Sequence, residues 1–254
     1  MTEPDLDGGA LELLGRITVA SNATFLGEVA GTRVVYKPVA GEKPLWDFPD
    51  GTLADREVAA YLVSEATGWG VVPRTWLRDG PLGPGMVQLW QEPDAAQDPV
   101  DVVPSDAVPA GWRTVLEGGD EEGRPVAVVH EDSPALRRMA VLDVLLNNAD
   151  RKGGHVLPLP DGRRLGVDHG VTFHVEPKLR TVLWGWLGED LADDEVAGVD
   201  RVRAALDGDL GAALGALLAE AEVDALRRRC ERLLAAPRFP GPEGGMPAVP
   251  WPLF

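Results

Sequence analysis

Cysteine is nearly absent: Cys230 is the only one in 254 residues. That excludes a disulfide within the chain and fits a reducing compartment. Long apolar runs are missing too, since none approaches the roughly 18–20 residues a membrane-spanning helix needs. The stretch Met1-Thr2-Glu3-Pro4-Asp5 lacks the basic and apolar parts of a signal peptide, so the expected location is the cytoplasm. Positive charge is also scarce. Against 41 acidic residues stand 24 basic ones, a formal charge of −17. This argues against nucleic acid as a partner and against stable association with an anionic membrane. The basic clusters are short: Arg137-Arg138, Arg163-Arg164 and Arg227-Arg228-Arg229. The last has acidic neighbours in a helical pattern and reads as a solvated face. Lysine occurs at Lys37, Lys43, Lys152 and Lys178 only, so a lysine inside a strand is worth following. No G-x-x-x-x-G-K-[ST] run occurs, which excludes a P-loop NTPase.

What is present is ordinary in bulk. With 44% hydrophobic and 26% charged residues, the chain reads as globular protein, one large domain or two small ones. No internal repeat occurs. Residues 14–20, 24–29 and 32–38 read as short strands separated by Ser21-Asn22 and Ala30-Gly31, both turn signals. A loop rich in Pro, Asp and Gly over 39–51 precedes a helix over 53–67, with Thr52 as N-cap, Asp55 three residues on and Gly68 as its stop. Strand-like pieces at 72–77 and 85–90 complete a β-β-β-α-β-β order. Gln91-Glu92-Pro93-Asp94 breaks that pattern as a candidate hinge.

Beyond the hinge the patterns are mainly helical. Residues 100–111 are ambiguous, and 118–123 read as an acidic loop. Ser133-Pro134 opens a helix through Leu146. Short strands at 156–159 and 164–167 flank Asp161-Gly162, a two-residue hairpin signal. Residues 191–206 and 210–235 carry helical patterns. The end closes on Trp251-Pro252-Leu253-Phe254, apolar enough either to pack in a groove of its own domain or to engage a protein partner.

Several polar residues fall where these elements would gather them. Lys37 follows Val35 on one face of the 32–38 strand; alone, a strand-end lysine more often faces solvent. Glu57, next to Val58 and one turn from Tyr61, could pair with Lys37 or simply solvate its helix. In Ser21-Asn22-Ala23-Thr24-Phe25, residues Ser21, Asn22 and Thr24 could surround a phosphate with hydroxyls and backbone N–H groups. An ordinary hairpin turn fits that segment equally well, and it is no G-x-G-x-x-G loop. Asp150 sits in the loop after the 134–146 helix, with Arg151 and Lys152 beside it to hold a phosphate or lower its pKa. His155 opens the next strand and Asp168 ends the hairpin, and both are metal-ligand types. A loop Asp before Arg is common, and Asp168-His169-Gly170 could be a plain turn. The joint spacing points to phosphoryl transfer, which needs positioned phosphates, neutralised charge and an oriented nucleophile.

Asp150 to His155 matches the offset of Asp to Asn in the kinase catalytic loop H-R-D-x-x-x-x-N, and Asp168-His169-Gly170 stands where a D-F-G triplet would. Asp150-Arg151-Lys152 with His155, and Val167-Asp168-His169-Gly170-Val171-Thr172-Phe173, resemble the D-R-H-x-x-N and I-D-[FHN]-G-x-x-F motifs of phosphatidylinositol 3-/4-kinase-like and HipA-like kinases. Tyr36-Lys37-Pro38 and Glu57-Val58-Ala59-Ala60-Tyr61 resemble their lysine strand and glutamate helix, so the likeness runs from Ser21 to Phe173. It implies an α+β, two-lobed protein-kinase-like fold: a β-rich N-lobe over 1–92, a mainly helical C-lobe over 93–236 and a tail over 237–254. ATP would lie in the cleft with its adenine near Gln88-Leu89-Trp90. The motifs assign phosphate contact to Lys37, its ion pair to Glu57, the catalytic base to Asp150 and ligation of Mg²⁺ or Mn²⁺ to His155 and Asp168.

Two positions depart from the motifs. Lys152 replaces a histidine and His155 an asparagine. Imidazole is a softer ligand than an amide oxygen and prefers transition metals to magnesium. The expected activity is an ATP-dependent phosphotransferase acting on a protein or small-molecule polar acceptor. The alternatives are a non-catalytic nucleotide-binding module that engages a protein through its tail, and a nucleotidyl transferase on the same scaffold.

Overall fold

The structure, a computed structural model, describes residues 5–18, 22–43, 45–48, 51–243, 245 and 247–254. Its N-terminal part is one antiparallel sheet of β1 (Leu11–Ile17), β2 (Thr24–Val29), β3 (Thr32–Pro38), β4 (Thr75–Gly80) and β5 (Gly83–Leu89), in the order β1-β2-β3-β5-β4. Helix α1 (Leu53–Thr67) lies between β3 and β4, so the β-β-β-α-β-β order read from the sequence is the one observed. Turn chemistry explains much of it. Ala30 and Gly31 both take positive φ, 48° and 78°, as a type I′ hairpin requires. Thr52 and Asp55 form a reciprocal capping box at the start of α1, and Gly68 closes it at φ 72°. The first strand begins three residues before the expected 14–20. Pairing Leu11 with Val29 buries both on one face and leaves Leu14 outside.

The second part contains a feature the sequence hid. β6 (Val100–Pro104), β7 (Trp112–Gly119) and β8 (Pro125–Glu131) form a three-stranded sheet ordered β6-β8-β7. The supposed acidic loop is therefore the end of β7, its connection and the approach to β8. β7 is half-exposed along its length, so it carries no apolar alternation and is defined by its partner instead. Helices follow: α2 (Pro134–Leu146), α3 (Asp193–Ala205), α4 (Asp209–Gly215) and α5 (Glu220–Ala235). The expected helix over 210–235 is thus broken, because Glu222 turns back to accept the Ala219 N–H at 3.1 Å and starts α5 afresh. Between α2 and α3 lie β9 (Val156–Pro158) and β10 (Arg164–Gly166). Their outermost pair is Pro158 with Arg164, so the connection is wider than the two residues expected, although Gly162 does take φ 87°.

An α+β, two-lobed architecture results, with an antiparallel sheet and one helix first and a mainly helical part second. The main apolar cluster joins them. Ala59, Ala60 and Val63 of α1 share it with Leu136, Met139, Leu142 and Leu145 of α2, and with Val199, Leu226 and Cys230 from α3 and α5. The far face of the first sheet has its own cluster around Val29, Val34, Tyr36 and Val87. Residues 247–254 run along the helical part: Ala248 O accepts from Thr181 N and Trp184 Nε1, and Val249 and Leu253 pack on the main cluster. Trp251 stays exposed. Among the described residues no helix is long and apolar enough to cross a membrane.

His130 on β8 is fully buried against Trp186, with ring centroids 4.2 Å apart. Its Nδ1 faces Glu131 O at 2.8 Å and its Nε2 accepts the Gly185 N–H at 3.0 Å. Both nitrogens are satisfied only in the neutral ring. Burial pushes its pKa down to about 4, below the ~6.5 of an unfolded histidine. The unfolded chain therefore takes up this proton first as pH falls, and stability is lost between about pH 6.5 and 4. Urea unfolding at pH 7 and pH 5 should show wild type losing about 2 kcal/mol more than His130→Gln. Equal losses would mean that the ring is already free to protonate in the fold.

Candidate active site

Helix α2 ends at an asparagine pair with opposite duties. Asn147 adopts φ 53°, which asparagine tolerates better than most residues. Its amide donates to His174 O and Glu176 O at 2.8 and 2.7 Å and accepts from Lys178 N at 2.9 Å. Asn148 faces inward, donating to Asp143 Oδ1 at 2.9 Å while its own Oδ1 accepts the Asp150 N–H at 3.0 Å. Asp150 is thereby held at the surface of the loop with its carboxylate partly open.

Arg151 differs from the expectation. It is fully buried, and its Nε and Nη2 grip both oxygens of Asp143 at 2.9 and 2.8 Å. Nη1 donates to His155 O and Val167 O, each at 3.2 Å, and Nη2 also donates to His169 Nε2 at 2.7 Å. All five N–H donors of a guanidinium are then spent, so the side chain can reach neither a phosphate nor Asp150. Its work is to hold the loop from beneath. Because Arg151 donates to His169 Nε2, the His169 proton sits on Nδ1. Burial and the nearby guanidinium keep that ring neutral.

Above this floor the charged groups meet. Lys37 Nζ lies 2.6 Å from Glu57 Oε1 and 2.9 Å from Asp168 Oδ1. The second Glu57 oxygen accepts the His169 N–H at 2.9 Å, so α1 is tied to the turn that carries Asp168. On the other side His155 Nε2 stands 3.4 Å from Asp168 Oδ2, and Lys152 Nζ is 3.1 Å from Asp150 Oδ2. Asp168 holds φ 60°, a left-handed conformation that aspartate, like asparagine, adopts more readily than most side chains.

Burial works against the Lys37 ammonium, but Asp168 and Glu57 together outweigh it and raise its pKa. The same lysine holds the Asp168 carboxyl well below the usual range. Burial pushes Glu57 up against the pull of Lys37. It also pushes His155 down against the pull of Asp168, which favours neutral imidazole. His155 Nδ1 faces Asp150 O at 3.0 Å, so that nitrogen carries the proton and the Nε2 lone pair points toward Asp168.

A carboxylate oxygen and an imidazole lone pair facing each other fit a divalent cation. Among the described residues no group of three or more His, Cys, Asp and Glu converges. A cation at Asp168 and His155 would complete its shell with oxygens from outside the protein, as cations bound beside phosphates do.

Lys37, Glu57, Asp150, Lys152, His155 and Asp168 are thus brought into one continuous constellation. Other expected residues lie elsewhere. Ser21 is outside the described residues. Thr24 is buried, donating its hydroxyl to Asn22 O at 3.3 Å, while Asn22 Oδ1 accepts from Lys43 N at 3.0 Å; both brace the turn instead of presenting free donors. Gln88 pairs with Val35 and Met86 with Lys37, so these residues share the cleft face of the sheet. Gln88 donates to Thr75 Oγ1 at 2.8 Å. Leu89 pairs with Val34 on the opposite face and packs in the far cluster, so its side chain does not line the cleft. Trp90 Nε1 donates to Glu92 at 3.1 Å.

Asp143 was not singled out in the sequence, and Asn148 and His169 were read only as neighbours of Asp150 and Asp168, with no role of their own. Asp143 did carry a signal, a carboxylate inside the apolar run of α2 that demands a buried cation. Removing one partner of such a pair strands a charge at a cost of about 3–5 kcal/mol. Asp143→Leu or Arg151→Met should each lower the stability measured by urea unfolding by about that much. The double variant should lose less than the sum, and additive losses would show that the two do not depend on each other.

No family model matches the chain. Among solved structures, Golgi casein kinase with Mn/ADP bound superposes with a TM-score of 0.54 at 13% identity, covering 91% of this chain and 73% of that one. The Helicobacter pylori proinflammatory kinase CtkA gives a TM-score of 0.49 at 12% identity, covering 92% and 94%. The first likeness is one of fold, and the fold is kinase-like. Protein Rv2133c of Mycobacterium tuberculosis (strain ATCC 25618 / H37Rv) is 52% identical over 262 residues, spanning 98% of this chain and 94% of the relative. The chain belongs to the family of protein Rv2133c.

Proposed function

We propose that the chain is an ATP-dependent phosphotransferase. The observation that carries this reading is the run of contacts from Glu57 through Lys37 and Asp168 to His155, with Asp150 joined to it by its own carbonyl. Lys37, fixed by Glu57, would bind the α- and β-phosphates. Lys152, beside Asp150, would donate to the γ-phosphoryl group. The acceptor hydroxyl oxygen attacks the γ-phosphorus, and the bond from that phosphorus to the β–γ bridging oxygen breaks. ADP leaves with that oxygen, and the hydroxyl proton passes to the Asp150 carboxylate. Asp168 and His155 would hold a divalent metal that neutralises phosphate charge, with the imidazole favouring manganese over magnesium. The Mn/ADP of the Golgi casein kinase structure accords with that choice. A place in the phosphatidylinositol 3-/4-kinase-like, HipA-related superfamily is part of the proposal and rests on the resemblance of the two motifs, the lysine strand and the glutamate helix. The acceptor would be a protein or a small polar molecule, since a charge of −17 suits neither nucleic acid nor an anionic membrane.

The two departures, Lys152 and His155, favour a second reading, a module that binds nucleotide without transferring phosphate. Single-turnover assays with γ- and α-labelled ATP in Mg²⁺ and Mn²⁺ separate the readings. Transfer of the γ label supports the kinase and transfer of the α label a nucleotidyl transferase, whereas binding without transfer leaves the module. Asp150→Asn should keep nucleotide binding and lower turnover roughly a thousandfold, about 4 kcal/mol. A few-fold loss would remove Asp150 from its role. His155→Asn should move the metal preference toward magnesium; an unchanged preference would mean that His155 is no ligand.

A further inference from the structure

Asp150 opens onto a second space, away from Lys37. A cavity of about 180 Å³ is bounded by Asp150 and Val171 on one side and by Asp47, Phe48, Lys178 and Arg180 on the others. Its charge runs against the composition of the chain. Lys178 is one of four lysines in the protein, and Arg180 is two residues further along. Lys178 Nζ pairs with Asp47 at 3.1 Å. Arg180 has no carboxylate partner among the described residues. Its Nε and Nη2 donate to Pro247 O and Val249 O at 3.1 and 3.4 Å. Bracing residues 247–249 explains those two contacts and leaves Nη1 unpartnered among the described residues. Of the two cations that line the cavity, only Lys178 has a carboxylate partner among the described residues. A guanidinium without a carboxylate in a protein of charge −17 suits an anion that the described residues do not supply.

Size and cover narrow the class. The volume lies below the roughly 300–1,000 Å³ of sites that enclose drug-sized ligands. Residues 45–48 roof the cavity and bridge to the second part of the fold. Asp47 reaches Lys178, Phe48 meets His174 edge-on at 5.2 Å and lies 5.1 Å from the Arg56 guanidinium, and Trp46 stacks 5.8 Å from Lys178 Nζ. An extended peptide would have to displace this roof; a small molecule would not. Resting on the phosphotransferase reading, the geometry points to a small hydroxyl-bearing acceptor that carries a carboxylate or phosphate group. Lys178 and Arg180 bind the anion, and the hydroxyl is left beside Asp150. Asp47 competes with the ligand for Lys178, so it tunes affinity.

The test is calorimetric titration of the full-length protein with glycerol, D-glycerate and glycerol 3-phosphate, with and without Mn²⁺/ADP. At least one anion should bind where glycerol at the same concentration does not, and the two anions distinguish carboxylate from phosphate as the preferred group. Arg180→Gln should weaken that binding tenfold or more and leave Mn²⁺/ADP affinity within twofold. Asp47→Asn, which frees Lys178, should tighten it severalfold and serves if Arg180→Gln does not fold. Equal binding of glycerol, silence of both anions, or anion binding indifferent to both substitutions would overturn the inference. So would binding of an acidic serine peptide with the small probes silent, which would mark a protein acceptor. Failure of the wild type to bind ADP or ATP would instead sink the phosphotransferase reading, while the nucleotide-free titrations would still report on the anion cavity.

Discussion

Arg151 and Asp143 face each other through two hydrogen bonds, with neither side chain exposed, and the cleft takes its shape from how that pair is satisfied. Two charges taken out of water cost several kcal/mol each unless every remaining donor and acceptor is met. Here they are met by groups from three places: the Asn148 amide, the carbonyls of His155 and Val167, and the His169 ring. Satisfying the guanidinium therefore fixes the distance between the loop after α2 and the turn after β10. The approach of His155 to Asp168 is set by a residue buried beneath both and closed to solvent.

A second junction sits on α1, where adjacent residues point to different parts of the molecule. Glu57 joins Lys37 and the backbone of His169. Arg56 reaches the other way, donating to Thr172 O at 2.7 Å and pairing with Glu222 of α5 at 2.7 Å, both side chains nearly buried. Helix α1 is thus clamped to the turn after Asp168 and to the helical part at once. A displacement of this helix would alter the Lys37 ion pair and the α5 contact together.

Local chemistry was legible in the sequence. The capping box at Thr52, the Gly68 stop, the Ser133-Pro134 start and the Ala30-Gly31 turn each involve residues a few positions apart, and each lies where it was read. The order of Lys37, Glu57, Asp150, His155 and Asp168 was legible because motif spacing is also a local property. Pairing across the chain was not. The β6-β8-β7 sheet depends on partners rather than on its own pattern. The role of Arg151 depends on Asp143, eight residues earlier and facing inward. Leu89 was misplaced because a one-residue step along a strand changes faces. The cavity beside Asp150 needed residues 47, 150 and 180 together, a juxtaposition that no single stretch records.

Residues 247–254 give the loop after α2 a late partner. Gly153 N–H donates to Leu253 O at 2.8 Å, and the Phe254 ring lies so close to Gly153 that a β-carbon there would strike it. These contacts join positions about a hundred residues apart, so this side of the loop is fixed by a partner remote in sequence. The loop bearing Lys152 and His155 is therefore closed on one side by residues beyond the last helix, so a change in that segment reaches the cleft without touching any of its charged side chains.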